Sequence, residues 1–147
     1  MELIEIDVLN PRPEEAFKSL QCLSMYDIYK DFYANNIFQK PWIGYFIYDL
    51  GEVKGVCGFN GPPIDNKVEI AYHTFPQYEG TGVSSKAGAL LVKLASKHSE
   101  VKNIIAKTAP EENASTRILS KMGFQFTGIV TDHEIGDAWS WIKKIRE

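Results

Sequence analysis

Apolar side chains at Val83, Ala87, Leu90, Leu91 and Leu94 recur at i, i+4, i+7, i+8 and i+11, one face of an amphipathic helix running from Val83 to about His98. Elsewhere the period shortens to two. In Val68–Phe75, Val68, Ile70 and Tyr72 share one face while Glu69, Ala71 and His73 share the other, as a strand requires. Leu3–Val8, Trp42–Tyr48, Val53–Phe59, Asn103–Lys107, Phe124–Val130 and Trp139–Ile142 also read as strands, most of them rich in β-branched and aromatic residues. Asp49-Leu50-Gly51-Glu52 joins the Trp42 and Val53 segments as a hairpin, and Asp132–Asp137 is the polar turn of the last pair. From Glu14 to Tyr33, Phe17, Leu20, Leu23, Ile28 and Phe32 fall at roughly helical spacing, compatible with two short helices broken near Leu23-Ser24. Asn113 can cap a further helix through Met122, with Leu119 inward and Gly123 just past its end.

This order predicts an α/β fold of the α+β type. A mixed, mostly antiparallel central sheet of six to seven strands is flanked by about four helices, with one strand-loop-helix-strand crossover in the middle. No repeat or linker-like stretch interrupts the 147 residues, so residues 1–147 are expected to form a single domain.

Charge narrows the partners. The 16 basic and 19 acidic side chains leave a net charge of −3, and no Lys/Arg run forms a footprint for nucleic acid or an anionic membrane. The opening MELIEIDVLN is acidic and lacks the apolar core of a signal peptide, and no apolar run approaches a membrane span, so the expected location is cytoplasmic. Cys22 and Cys57 are far apart and form no CxxC pair, which suits reduced packing residues rather than a disulfide or a metal site.

Chemistry concentrates around the loop Gln77–Gly82. A Gly-containing turn entering a helix aims several backbone N–H groups at one spot, where the helix dipole adds about half a positive charge. Such a nest suits a phosphate or pyrophosphate without basic side chains. A plain tight turn gives the same letters, and the dinucleotide fingerprint is missing because Ser85 stands where its third glycine would be.

A second string lies about thirty residues on. Glu111-Glu112-Asn113-Ala114-Ser115-Thr116-Arg117-Ile118-Leu119-Ser120-Lys121-Met122-Gly123-Phe124 resembles the helix-plus-Gly-Phe segment of the GNAT superfamily of N-acetyltransferases. The likeness is to the branch containing ribosomal-protein N-terminal acetyltransferases. Val68–Tyr72 and Phe75–Gly82 resemble that family's fourth strand and pyrophosphate loop, so the likeness covers about residues 42 to 142.

The resemblance implies acetyl-CoA as co-substrate, with no metal, and direct transfer of its acetyl group to a primary amine. The pyrophosphate would lie on Glu79, Gly80, Thr81, Gly82, Val83 and Ser84, with Glu79 where the family usually carries Arg or Gln. The backbone of Tyr72, His73 and Thr74 would pair with the pantetheine, and Asn113 would hydrogen-bond to it. Glu69 is the candidate base, directly or through a water, and His73 shares its face. The tyrosine that many members place on the last helix is Leu119 here, and the resemblance to the ribosomal-protein branch, which carries a serine eight residues before the helix-ending glycine, makes Ser115 the candidate acid. Each has a plain structural counterpart: a solvated strand carboxylate, a sheet-surface histidine and a helix-capping serine.

The acceptor would be a small-molecule amine or a peptide N-terminus, shaped by Leu23–Pro41 and Thr131–Ala138. Those segments hold Tyr26, Asp27, Tyr29, Asp31, Tyr33, Asp132, Glu134 and Asp137. Exposed sheet edges are compatible with a homodimer. Two other readings stay open: a catalytically weak acyl-CoA-binding or sensing domain of the same fold, and an unrelated nucleotide-binding α/β protein.

Overall fold

The structure is a computed structural model that describes residues 1–132 and 136–147. Strands β1 (Glu2–Glu5), β2 (Gly44–Asp49), β3 (Glu52–Phe59), β4 (Lys67–Thr74), β5 (Asn103–Thr108), β6 (Gln125–Asp132) and β7 (Gly136–Lys144) form one sheet in the order β1-β2-β3-β4-β5-β7-β6. Neighbours pair antiparallel except β4 and β5, which run parallel around the crossover. The expected mixed, mostly antiparallel sheet is therefore present, with seven strands.

Among the described residues there are three α-helices: α1 (Leu20–Asn35), α2 (Val83–Ser96) and α3 (Ala114–Lys121). The break expected near Leu23-Ser24 is absent. Instead a short 3-10 turn at Glu15–Phe17 buries Phe17, and Ser19 opens one continuous helix by accepting a hydrogen bond from the Cys22 N–H at 3.1 Å. The first strand is also shorter than its apolar run. Asp7 Oδ1 accepts from the Leu9 and Asn10 amides at 3.0 and 3.2 Å, and this local turn ends the extended chain. The last hairpin is longer than its composition suggests, because β7 is held between β5 and β6. The Asp132–Asp137 turn, including Glu134, falls partly outside the described residues.

Side-chain alternation divides the core between the two faces of the sheet. On one face Val68 and Ile70 of β4 pack with Val83, Ala87, Leu91 and Ala95 of α2 and Leu119 of α3. On the other, Phe46 and Val56 pack with Phe17 and with Cys22 and Tyr26 of α1. Tyr45, Phe46 and Phe59 are buried sheet residues, Trp42 is buried just before β2, and Tyr48 stacks on Phe17 with ring centroids 5.5 Å apart. Cys22 and Cys57 are both free thiols inside the core. The α1 ring of Tyr29 lies directly on Gly44, where an added Cβ would come within 2.1 Å of its Cε1.

Candidate active site

The parallel ladder between β4 and β5 stops early. Lys67 to Ile70 pair with Asn103 to Ala106, and beyond that point β4 continues to Thr74 on β3 alone. The alternation of its backbone groups follows from two hydrogen bonds: Asn60 N–H donates to Glu69 O and Phe75 N–H to Lys54 O, each at 2.9 Å. Odd-numbered residues of β4 thus face β3, and the N–H and C=O of Tyr72 and Thr74 face the gap beside β5. Those of His73 turn toward β3, so only two of the three backbone positions expected to line the gap do so.

A cleft of about 440 Å³ runs along this gap on the α2 and α3 face, lined by Tyr72, Thr74, Gly80, Gly82, Ser84 and Ser115 among others. Gly80 and Gly82 have φ of +77° and +83°, the left-handed region that glycine enters without strain. Gly82 is also the N-cap of α2 and provides no side-chain cap. The first intrahelical bond runs from Lys86 N–H to Gly82 O at 3.1 Å, which leaves the N–H groups of Val83, Ser84 and Ser85 at a helix N-terminus without intrahelical partners. Space beside both glycines is open, with nothing within 4 Å of an added Cβ. Amides, dipole and space together fit a pyrophosphate, and the one-sided β4 edge fits an extended arm carrying its own amides. Glu79 is exposed at the rim, consistent with a carboxylate turned to solvent, and Thr81 is tied back through its hydroxyl to Tyr78 O at 2.5 Å.

Ser115 and Asn113 border the same cleft. Asn113 Oδ1 accepts from Thr116 N–H at 3.1 Å while Thr116 Oγ1 accepts from Asn113 N–H at 3.0 Å, a reciprocal capping box. Ser115 takes no part in it, and its hydroxyl makes no hydrogen bond among the described residues. It also borders a small cavity of about 90 Å³ between β4 and β5, with Ile70, Tyr72, Lys107 and Thr108. Tyr72 borders both spaces, and desolvation pushes its phenol up to about 12, so it stays protonated there. Leu119 is fully buried in the core, away from either space.

Glu69 and His73 belong to the other face of β4. They line a second cleft of about 620 Å³ with Met25, Ile28, Tyr29 and Phe32 of α1, and with Asn60, Lys107 and Asp132. Glu69 Oε2 accepts from Asn60 Nδ2 at 2.6 Å, and Glu69 Oε1 lies 3.3 Å from Lys107 Nζ. That ammonium is also 3.7 Å from Asp132 Oδ2. His73 borders both clefts. Among the acids and aromatics of the expected acceptor segments, Tyr29 and Asp132 line this space. Tyr26 accepts from Arg12 N–H at 2.9 Å, and Tyr33 donates to Ile6 O at 3.1 Å, so both serve packing. Lys107 and Asn60 were not singled out by the sequence pattern. Their signal is indirect: Glu69 pairs with Ile105 across the parallel ladder, which places Lys107, two residues on, on the same face.

The family model for the acetyltransferase (GNAT) domain matches residues 10–125. An uncharacterized N-acetyltransferase, p20, of Bacillus licheniformis is 32% identical over 89 residues, 60% of this chain and 50% of that protein. The chain thus spans about half the length of that curated relative. Among solved structures, the ribosomal α-N-protein acetyltransferase RimL in complex with coenzyme A aligns over 97% of this chain and 93% of its own, with TM-score 0.72 and 18% identity. A spermidine N-acetyltransferase SpeG chimera involving the Vibrio cholerae enzyme aligns over 99% and 96%, with TM-score 0.73 and 14% identity. The last two likenesses are of fold. With the family model spanning most of the sequence, this chain belongs to the GNAT acetyltransferase family.

Proposed function

We propose that this chain transfers an acetyl group directly from acetyl-CoA to a primary amine, held by a small molecule or a peptide N-terminus. The observation that carries this reading is a pair of clefts on opposite faces of the sheet that converge where β4 parts from β5. Acetyl-CoA supplies an acyl group already activated as a thioester. The chain supplies position and proton transfer. The α2 amides hold pyrophosphate charge, and the backbone of Tyr72 and Thr74 receives an extended arm along the gap. Asn113, fixed by its capping box, offers its remaining polar groups at the cleft wall.

Glu69 takes the amine's proton, directly or through a water, with its carboxylate side chain 19% exposed at the floor of the acceptor cleft. Its hydrogen bond from Asn60 and its ion pair with Lys107 fix both oxygens in direction. When Glu69 is protonated, Lys107 keeps Asp132 as a partner, so neutralising one carboxylate does not leave the ammonium without a counter-charge. His73, bordering both clefts, is the second proton acceptor on that face. Ser115 Oγ holds a proton on the opposite side of the gap, where negative charge on a departing sulfur would collect. We also take the chain as one catalytic unit in a reducing, cytoplasmic compartment, which suits its two buried free thiols.

The test is thiol release from acetyl-CoA across a panel of peptides, monoamines, polyamines, amino acids and aminoglycosides, with mass spectrometry of the amine. Acceptor-dependent thiol release with one acetyl group added per product is the expected result. Coenzyme binding with no transfer to any amine would favour the sensing-domain reading instead.

A further inference from the structure

Helix α1 has more apolar surface than the core uses. Cys22, Tyr26 and Tyr33 face the sheet or pack against its edge. Met25, Ile28, Tyr29 and Phe32 recur at i, i+3, i+4 and i+7, a second stripe that lines the 620 Å³ cleft. Met25 and Tyr29 of this stripe also pack against the core, whereas Ile28 remains 54% exposed and Phe32 is only half-buried, so part of the stripe stays open to the cleft. The opposite wall is polar and holds the group that would meet an amine. Among the described residues it carries two carboxylates, Glu69 and Asp132, and one ammonium, Lys107, which lies within 4 Å of both. The wall therefore offers one net negative charge. Asp27 and Asp31, the acids of α1, do not border the cleft.

Building on the acetyltransferase reading, we infer that the acceptor is a small monoamine with an apolar body. Its ammonium lies at Glu69 beside the β4–β5 gap, and its ring or alkyl chain lies against Met25, Ile28 and Phe32. The space is of the size that holds a single small molecule, within the roughly 300–1,000 Å³ usual for such sites. A polycation is disfavoured for two reasons. Its second ammonium would lie against an apolar helix face that carries no counter-charge among the described residues, which costs desolvation without return. Lys107 would also repel each further ammonium, and among the described residues the net charge of the wall balances only one.

The experiment compares kcat/KM for 2-phenylethylamine, ethylamine, spermidine, kanamycin and a peptide with a free apolar N-terminus, on the intact chain. The expected order places 2-phenylethylamine about tenfold or more above both ethylamine and spermidine. Phe32→Ala should lower kcat/KM for 2-phenylethylamine about tenfold, mainly through KM, and ethylamine less than threefold. If Phe32→Ala does not fold, Ile28→Asn replaces it, since Ile28 is mostly exposed, and should raise KM for the aromatic amine alone. Coenzyme A should still raise the melting temperature of both variants. Equal or better use of spermidine or kanamycin overturns the inference, as does a peptide preferred over every free monoamine, or an enzyme inert to all monoamines that still binds coenzyme A. Failure to bind coenzyme A at all would overturn the acetyltransferase reading beneath it.

Discussion

Valine at position 82 would place a β-branched residue at the start of α2, where φ is +83°. Nothing lies within 4 Å of the added Cβ, so the substitution meets no clash and its cost is conformational. Holding an L-residue in the left-handed region costs about 1–2 kcal/mol. For a chain of about this length, each kcal/mol moves the melting temperature by about 2–4 °C, so the loss should be about 2–8 °C. The alternative for the backbone is to relax φ, which swings the amides of Val83, Ser84 and Ser85 out of convergence. Coenzyme A at about 100 times its dissociation constant should stabilise the wild type by about 2.7 kcal/mol, or about 5–11 °C. If Gly82→Val weakens binding tenfold, the same concentration yields about 1.4 kcal/mol, roughly half the shift. Thermal melts of both proteins with and without coenzyme A measure both quantities. A folded variant with a full-sized coenzyme shift would refute the assignment of this turn as the pyrophosphate nest.

Glu69→Gln should lower turnover about a hundredfold or more while leaving the coenzyme-induced melting shift intact, with the deficit greatest at low pH where few amines are free; an unchanged pH–rate profile would pass the proton to His73, a water chain or solvent. Thr116→Val removes one arm of the α3 capping box and should cost about 1 kcal/mol by urea denaturation, whereas Ser115→Ala should change stability by less than about 0.5 kcal/mol and slow turnover. The reverse pattern would make Ser115 structural. Burial raises the Cys57 thiol from 9.0 to about 12. The folded state thus keeps a proton that the unfolded chain releases. This contribution is fully present below pH 9 and declines as pH rises toward 12, by roughly 1 kcal/mol per unit. Urea midpoints that do not fall between pH 8 and 10 would count against it.

The parts of this fold that could be read in the chain are those set by local periodicity. The α2 stripe from Val83 to Leu94 and the alternation along β4 each require only residues a few positions apart, and both lie where they were expected. The Asp49–Glu52 hairpin is equally local, with Leu50 and Gly51 both at positive φ, at 51° and 78°. Contacts between distant segments were less legible. Glu69 reads as a strand carboxylate, but its partner Lys107 is found only once the parallel register of β4 and β5 is known. Ser115 and Thr116 are adjacent hydroxyls in the first turn of the same helix. The reciprocal bond requires the third helical position, and that is Thr116. In α1 the two apolar stripes merge in the sequence into one poorly periodic run. Only the sheet on one side and the cleft on the other separate them.

Because β4 carries one cleft on each side, the sheet acts as a septum with a single window. Each ligand has its own doorway, and neither must leave for the other to enter. The amide nest at Gly82 and the apolar stripe on α1 are on opposite sides of that septum, so occupancy of one leaves the other accessible. Under the proposed function, chemistry then waits on simultaneous occupancy rather than on an acylated form of the protein. Double-reciprocal plots at several fixed amine concentrations should accordingly intersect. Parallel lines would mean that the acetyl group rests on the chain between two half-reactions, a course for which the window has no need.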